Sequence, residues 1–153
     1  MDEIIGKRLN HYQIVSRLGH GGMGEVYVAE DTKLDRKVAL KTLPPEMAND
    51  PSRLSRFERE AKTIAALNHP NIVTIYSVEE AATIRFITME LVTGKTLALL
   101  IPERGFGLKE FFPVAIGIAE ALSAAHYKGI AHRDLKPANI MVSDGTRVKV
   151  LDF

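Results

Sequence analysis

The chain has 153 residues, 46% hydrophobic and 25% charged, with a net charge of +1 at neutral pH. That is an ordinary globular composition, long enough to bury a core, and the near-zero charge gives no reason to expect nucleic acid or an anionic membrane as partner. Cysteine is absent, which excludes disulfides and thiolate chemistry and fits a reducing cytoplasm.

Met1-Asp2-Glu3-Ile4-Ile5-Gly6 lacks the basic start and apolar run of a secretory signal. The longest apolar run, Leu97 to Ile101, is far below the ~20 residues that span a bilayer. Tyr12 to Leu18 alternates and predicts a strand, and Glu25 to Glu30, rich in β formers, predicts another. Between them Gly19-His20-Gly21-Gly22-Met23-Gly24 makes a glycine-rich hairpin. Such a loop lets main-chain amides approach phosphate oxygens; it also suits a plain flexible turn. In a dinucleotide-binding fold it would open a helix, and no helical pattern follows.

Lys37 to Leu43 predicts the next strand, ended by Pro44-Pro45, with Lys41 lying 22 residues after Gly19. Asp50-Pro51-Ser52 reads as a helix start, with Asp50 as N-cap and Pro51 at the first helical position. Leu54, Phe57, Ala61, Ile64 and Ala65 then form one apolar stripe, and Glu60 projects along it. An acid there calls for a cation: Lys41, or Arg56 one turn back. His69-Pro70 ends the segment.

Ile72 to Val78 and Ile84 to Leu91 predict two strands separated by Glu79-Glu80-Ala81-Ala82. Thr93-Gly94-Lys95 then marks a linker whose main chain could pair with the edge of an adenine ring, while Met89 suits plain core filler. Thr96 to Ile101 predicts a short helix. Lys109 to Lys128 predicts a longer one, with Phe112, Ala115, Ile118 or Ala119, Leu122, and Ala125 or His126 inward, a regular start near Pro113 and Gly129 as its stop. Asn139 to Val142 and Arg147 to Leu151 flank Asp144-Gly145 as a hairpin.

The densest chemistry is His132-Arg133-Asp134-Leu135-Lys136-Pro137-Ala138-Asn139, followed by Leu151-Asp152-Phe153. Asp134 and Asn139 lie five residues apart, and Asp152 thirteen beyond. Phosphoryl transfer needs such a set: a carboxylate to orient the attacking hydroxyl, and an amide and a second carboxylate to hold Mg²⁺.

Taken together, residues 12–153 resemble the eukaryotic-type (Hanks-type) serine/threonine protein kinases, close to the bacterial type that carries a Gly-x-Gly-Gly-Met-Gly loop. The resemblance implies an α+β, protein-kinase-like fold. Residues 12–92 would form a five-stranded antiparallel N-terminal lobe with one main helix, and residues 93–153 the start of a mainly helical C-terminal lobe. It implies ATP and Mg²⁺ as cofactors and protein Ser/Thr hydroxyls as acceptors. Asp134 would orient the hydroxyl, Lys136 would reach the γ-phosphate and mark the serine/threonine class, and Asn139 and Asp152 would hold metal. Lys41, positioned by Glu60, would grip the α- and β-phosphates, and Arg133 would bind a phosphorylated activation loop. Leu18, Gly19, Gly21, Gly24, Val26, Ala39, Lys41, Met89, Glu90, Val92 and Met141 would contact nucleotide, Val26 and Ala39 from above, Met141 from below, with Met89 guarding the back of the pocket.

The sequence stops at Phe153, before the glycine, activation loop and Ala-Pro-Glu segment of the family. The expectation is the front half of a catalytic domain, inactive alone, and cytoplasmic or the cytoplasmic part of a longer membrane-anchored protein. The alternative is an inert nucleotide-binding or scaffolding module.

Overall fold

The computed structural model describes residues 4–21, 24–144 and 147–153. Gly22, Met23 and Gly145, named above for the two hairpins, lie outside the described residues, as do Met1 to Glu3. The chain divides into two compact units, one of residues up to Ala65 with Ile75–Leu91, the other of Ala66–Thr74 with Val92–Phe153. Residues 66–74, which a single boundary at 92/93 would assign to the first lobe, therefore cluster with the second unit.

In the first unit, β1 (Arg8–Leu9), β2 (Tyr12–Gly21), β3 (Gly24–Asp31), β4 (Arg36–Thr42), β5 (Ile75–Ala81) and β6 (Ile84–Glu90) form one antiparallel sheet in the order β1-β2-β3-β4-β6-β5. The count of six corrects the expected five. Arg8 and Leu9 pair with Gln13 and Tyr12, too short a stretch to show a periodicity of its own. β2 and β3 also run further toward each other than the glycine pattern suggests, to the pair Gly21–Gly24.

Alternation along the strands gives the sheet two faces. Tyr27, Ala29, Val38, Leu40 and Phe86 point to one, where they pack with Leu9, Tyr12 and Ile14 into a buried core. On the other, Val26 pairs with Lys41, and Ala39 with Met89.

Helix α1 (Pro45–Ala48) is one turn, and α2 (Pro51–Ala65) follows it. Asp50 caps α2 as expected, accepting the amides of Ser52 at 2.9 Å and Arg53 at 3.1 Å on Oδ1. The β5–β6 turn is shorter than expected. Glu79, Glu80 and Ala81 remain in β5, and Ala82 makes the turn at a φ of 54°. The expected strand from Ile72 divides, because Ile72 bridges Val150 of the second unit and β5 begins at Ile75.

In the second unit, β7 (Lys95–Thr96), β8 (Ile140–Ser143) and β9 (Arg147–Val150) form a small antiparallel sheet. Helix α3 (Leu97–Leu100) is short, and α4 (Leu108–Tyr127) is long. α4 ends as expected: Gly129 has φ 74°, its amide bonds to His126 O, and the Ile130 amide reaches back to Ala125 O at 3.0 Å.

The start and phase of α4 differ from expectation. It begins at Leu108 and carries Pro113 inside it. The carbonyl that Pro113 cannot bond belongs to Lys109, which is exposed, so water can satisfy it. The buried stripe is Val114, Gly117, Ala121 and Ala125, whereas Phe112 is 53% exposed and Ala119 and His126 are exposed. Small residues face inward because β9 comes close: a Cβ on Gly117 would lie 3.1 Å from the Val148 side chain and 3.3 Å from Asn71 Nδ2.

Residues 69–73 lie along β9. Val73 donates to Val150 O at 3.0 Å, Val150 donates to Asn71 O at 2.8 Å, and Asn71 Nδ2 donates to Val148 O at 2.9 Å.

Candidate active site

The first unit supplies a strand face and a hairpin. Val26, Ala39, Lys41 and Met89 lie on three adjacent strands, β3, β4 and β6, and their register puts all four on the face away from the core. Ala39 is buried, and Val26, Lys41 and Met89 are half-buried. Glu90 pairs with Val38, so its side chain leaves the opposite face from that of Met89. Glu60 is exposed on α2, one residue before the buried Ala61, instead of lying within the inward stripe.

The glycines of the hairpin differ in what the fold asks of them. Gly24 has φ 130°, and a Cβ there would sit 1.9 Å from Thr42 O, so packing alone excludes a side chain. A Cβ on Gly19 meets nothing within 4 Å. Gly21 pairs with Gly24 at the hairpin's end. Leu18 is a bulged residue between the Arg17–Tyr27 and Gly19–Val26 pairs, and it is 52% exposed. Bulges commonly re-aim a side chain beside a functional site.

The second unit supplies the loop His132–Asn139. Asp134, Lys136 and Asn139 come together: Lys136 Nζ lies 3.0 Å from Asp134 Oδ2, and Asn139 Nδ2 donates to Asp134 O at 2.9 Å and to Oδ2 at 3.3 Å. The hydrogen bond and charge of Lys136 outweigh partial desolvation. With help from the Asn139 hydrogen bond they hold the Asp134 carboxyl below the usual carboxylate range. Asp134 therefore stands ionised at neutral pH as a hydrogen-bond acceptor. Both acceptors of Asn139 Nδ2 are oxygens of Asp134, which fixes the orientation of this buried amide and leaves Oδ1 as its acceptor oxygen.

Asp152 is exposed and is held near this loop through its neighbours. The Leu151 amide donates to Asn139 O at 2.8 Å, and Leu151 O accepts from the His132 ring at 2.7 Å. His132 Nδ1 accepts the Asp134 amide at 3.2 Å, so the ring proton resides on Nε2, which donates to Leu151. The Phe153 ring packs on His132 with centroids 4.7 Å apart. Arg133 and Asp152 both adopt left-handed φ, 64° and 54°. Two non-glycine residues in that region within one small site mark it as over-determined by its surroundings. His132, Leu151 and Asn71 were not singled out from sequence. Leu151 acts through its main chain and could not have been; His132 stands in the string but carries no mark of its dual bonding.

Among the described residues no cluster of three or more His, Cys, Asp or Glu forms a metal cage. One carboxylate and one amide oxygen suit Mg²⁺, which takes oxygen ligands, keeps several waters and draws the rest from substrate phosphates. Met141 is half-buried on β8 opposite Thr96 and Lys149, and Val92 is half-buried at the start of the second unit's main segment.

A family model described as the protein kinase domain matches residues 12–153. A probable serine/threonine-protein kinase of Streptomyces coelicolor is 47% identical over 147 residues, covering 93% of this chain and 22% of that protein. The serine/threonine-protein kinase PrkC of Bacillus subtilis is 45% identical over 152 residues, 98% of this chain and 24% of its own length. PknB of Mycobacterium tuberculosis is 45% identical over 149 residues, 94% of this chain and 24% of its own. The crystal structure of the M. tuberculosis PknI kinase domain superposes with a TM-score of 0.81 at 34% identity, covering 97% of this chain and 62% of that one. The chain thus spans about a quarter of the length of the curated relatives it matches.

Proposed function

The chain belongs to the protein kinase domain family, and on that premise we propose that it carries the nucleotide- and metal-binding part of a serine/threonine kinase. The full protein would transfer the γ-phosphoryl of ATP to Ser or Thr hydroxyls of proteins. The observation that carries this reading is the Asp134 carboxylate, ionised and held by Lys136 and Asn139. Asp134 accepts the substrate hydroxyl's hydrogen bond and orients its oxygen toward phosphorus. Lys136, already beside that carboxylate, offers its ammonium to the charge on the transferring group. Asn139 Oδ1 and Asp152 would hold Mg²⁺, which neutralises phosphate charge. Lys41 would grip the α- and β-phosphates, with Glu60, exposed on α2, as the acid that swings to position it, and the described hairpin glycines Gly19, Gly21 and Gly24 would bring main-chain amides over them. Leu18, Val26, Ala39 and Met89, on the strand face of the first unit, would frame the adenine, and the main chain of Glu90 would pair with its edge. Acceleration comes from positioning and charge stabilisation, without a covalent intermediate.

Among the described residues no helix is long and apolar enough to cross a membrane. The test is ATP titration of the chain with and without Mg²⁺, beside phosphate transfer by the full-length protein. Asp152→Asn should abolish the tightening of ATP binding by Mg²⁺, because it removes a charged oxygen ligand. Lys41→Met in the full-length protein should remove nearly all transfer with the melting temperature unchanged. An ATP affinity indifferent to Mg²⁺ in the unaltered chain would sink the metal assignment. Nucleotide binding with no transfer by the full-length protein would favour an inert nucleotide-binding module.

A further inference from the structure

The glycine hairpin ends the most irregular part of the first sheet. β2 carries bulges at Val15 and Leu18, and the second interrupts the ladder between the Arg17–Tyr27 and Gly19–Val26 pairs. A bulge leaves one residue unpaired and bends its strand, so the main-chain ladder alone holds the pairs beyond it, Gly19–Val26, His20–Glu25 and Gly21–Gly24, less firmly than in a regular hairpin. Side chains span the gap. Glu25 Oε1 accepts Arg17 Nη2 at 3.1 Å, and Glu25 Oε2 accepts the Tyr27 hydroxyl. Tyr27 is rooted in the core at 1% exposure, while Arg17 comes from the other strand on the near side of the bulge. The Glu25 carbonyl accepts Thr42 Oγ1 of β4 at 3.4 Å, beside the contact that makes Gly24 obligatory.

We propose that Glu25 is a positioning residue for phosphate binding: it ties both strands of the glycine hairpin to the core across the Leu18 bulge. Alternation turns its side chain to the face opposite Val26, so it acts on nucleotide through the hairpin and not by contact. A hairpin already fixed loses less freedom when its amides close on phosphate, and that preorganisation appears as affinity. This rests on the nucleotide reading above, deepens it, and assigns to the roof of the site a brace on its outer face.

Two measurements on this chain test it. Native-state hydrogen exchange without nucleotide follows the amides of Gly19, His20, Gly21 and Gly24; competition binding compares ATP with adenosine, which has no phosphates for the hairpin to cover. Glu25→Ala should speed exchange at those amides by about three- to tenfold, as expected for a partly exposed charged pair with one further hydrogen bond. It should weaken ATP by a similar factor, with β4 and β6 exchange and adenosine affinity unchanged. Glu25→Gln, which keeps an acceptor, should recover part of the loss. Unchanged hairpin exchange in Glu25→Ala overturns the brace. Equal losses for ATP and adenosine, with faster exchange across the whole sheet, overturn positioning in favour of a general contribution to folding. If the unaltered chain binds neither ligand, the nucleotide reading falls, and exchange alone decides whether Glu25 braces the hairpin.

Discussion

At Asp134 the local chemistry has a measurable sign. Its side chain is 67% exposed, yet Lys136 and Asn139 favour its ionised form. A depressed carboxyl stays charged as pH falls through the ordinary carboxylate range and protonates only below it. A carbon-detected NMR titration of Asp134 should therefore show a midpoint below that of a free aspartate, and Lys136→Met should move it upward. An identical midpoint in the two proteins would remove Lys136 as the cause. This cluster was legible in the sequence because its members sit within six positions, Asp134 to Asn139, and every one acts through a side chain. What held Asp152 was not legible. It is placed by the Leu151 main chain, bonded on one side to Asn139 and on the other to His132, and main-chain acceptors are the same for every residue type. Gly24 carries a related lesson. Its pattern suggested phosphate approach, and the structure adds a packing demand from Thr42.

Among the elements, β2 and β5, which are not neighbours in the sheet order, are fastened by a polar cluster. Tyr12 donates its hydroxyl to Glu79 Oε1 at 3.1 Å, Ser77 donates to the same oxygen at 2.9 Å, and Asn10 Nδ2 donates to Oε2 at 2.7 Å. Partial burial raises the Glu79 carboxyl, but these three hydrogen bonds and the nearby His11 outweigh it and leave it lowered. A lowered folded-state value means the stabilisation is present above the unfolded glutamate value, near 4.3, and is lost as pH falls through the folded one. Glu79→Gln, which turns an amide toward Asn10, should cost about 1 kcal/mol in urea unfolding at neutral pH. The gap between variant and parent should narrow below about pH 4; a gap of constant size across that range would show that the charge is not involved. Elements were legible where local chemistry decides them, as at Asp50-Pro51 and Gly129. They were misread where packing decides: α4 is apolar on two sides, with Phe111, Phe112 and Ile116 exposed and Gly117 and Ala121 buried. Periodicity weights large side chains, whereas the close approach of β9 selects small ones. The turn at Ala82 has a left-handed alanine, which no turn rule anticipates.

For the molecule as a whole, the excursion of residues 66–74 matters most. It interrupts the first unit in sequence and belongs to the second, held by two main-chain hydrogen bonds to Val150 and the Asn71 side chain on Val148. A protease site inserted between Val92 and Thr93 should therefore cut the chain without releasing its pieces, since the N-terminal fragment keeps its grip on β9 through residues 66–74. The fragments should co-elute in native buffer and part in denaturant, and Asn71→Ala should raise the fraction that separates. Free fragments straight after cleavage would show that these bonds do not hold. The same stitch sets an order of events on the ribosome. Asn71 waits for a partner 77 residues downstream, which at about 5–20 residues per second is roughly 4–15 s of elongation. The strands that complete the first sheet emerge well before then. The sheet can therefore close during synthesis while its own middle segment hangs out as a loop, unpaired until Val148 and Val150 leave the exit tunnel.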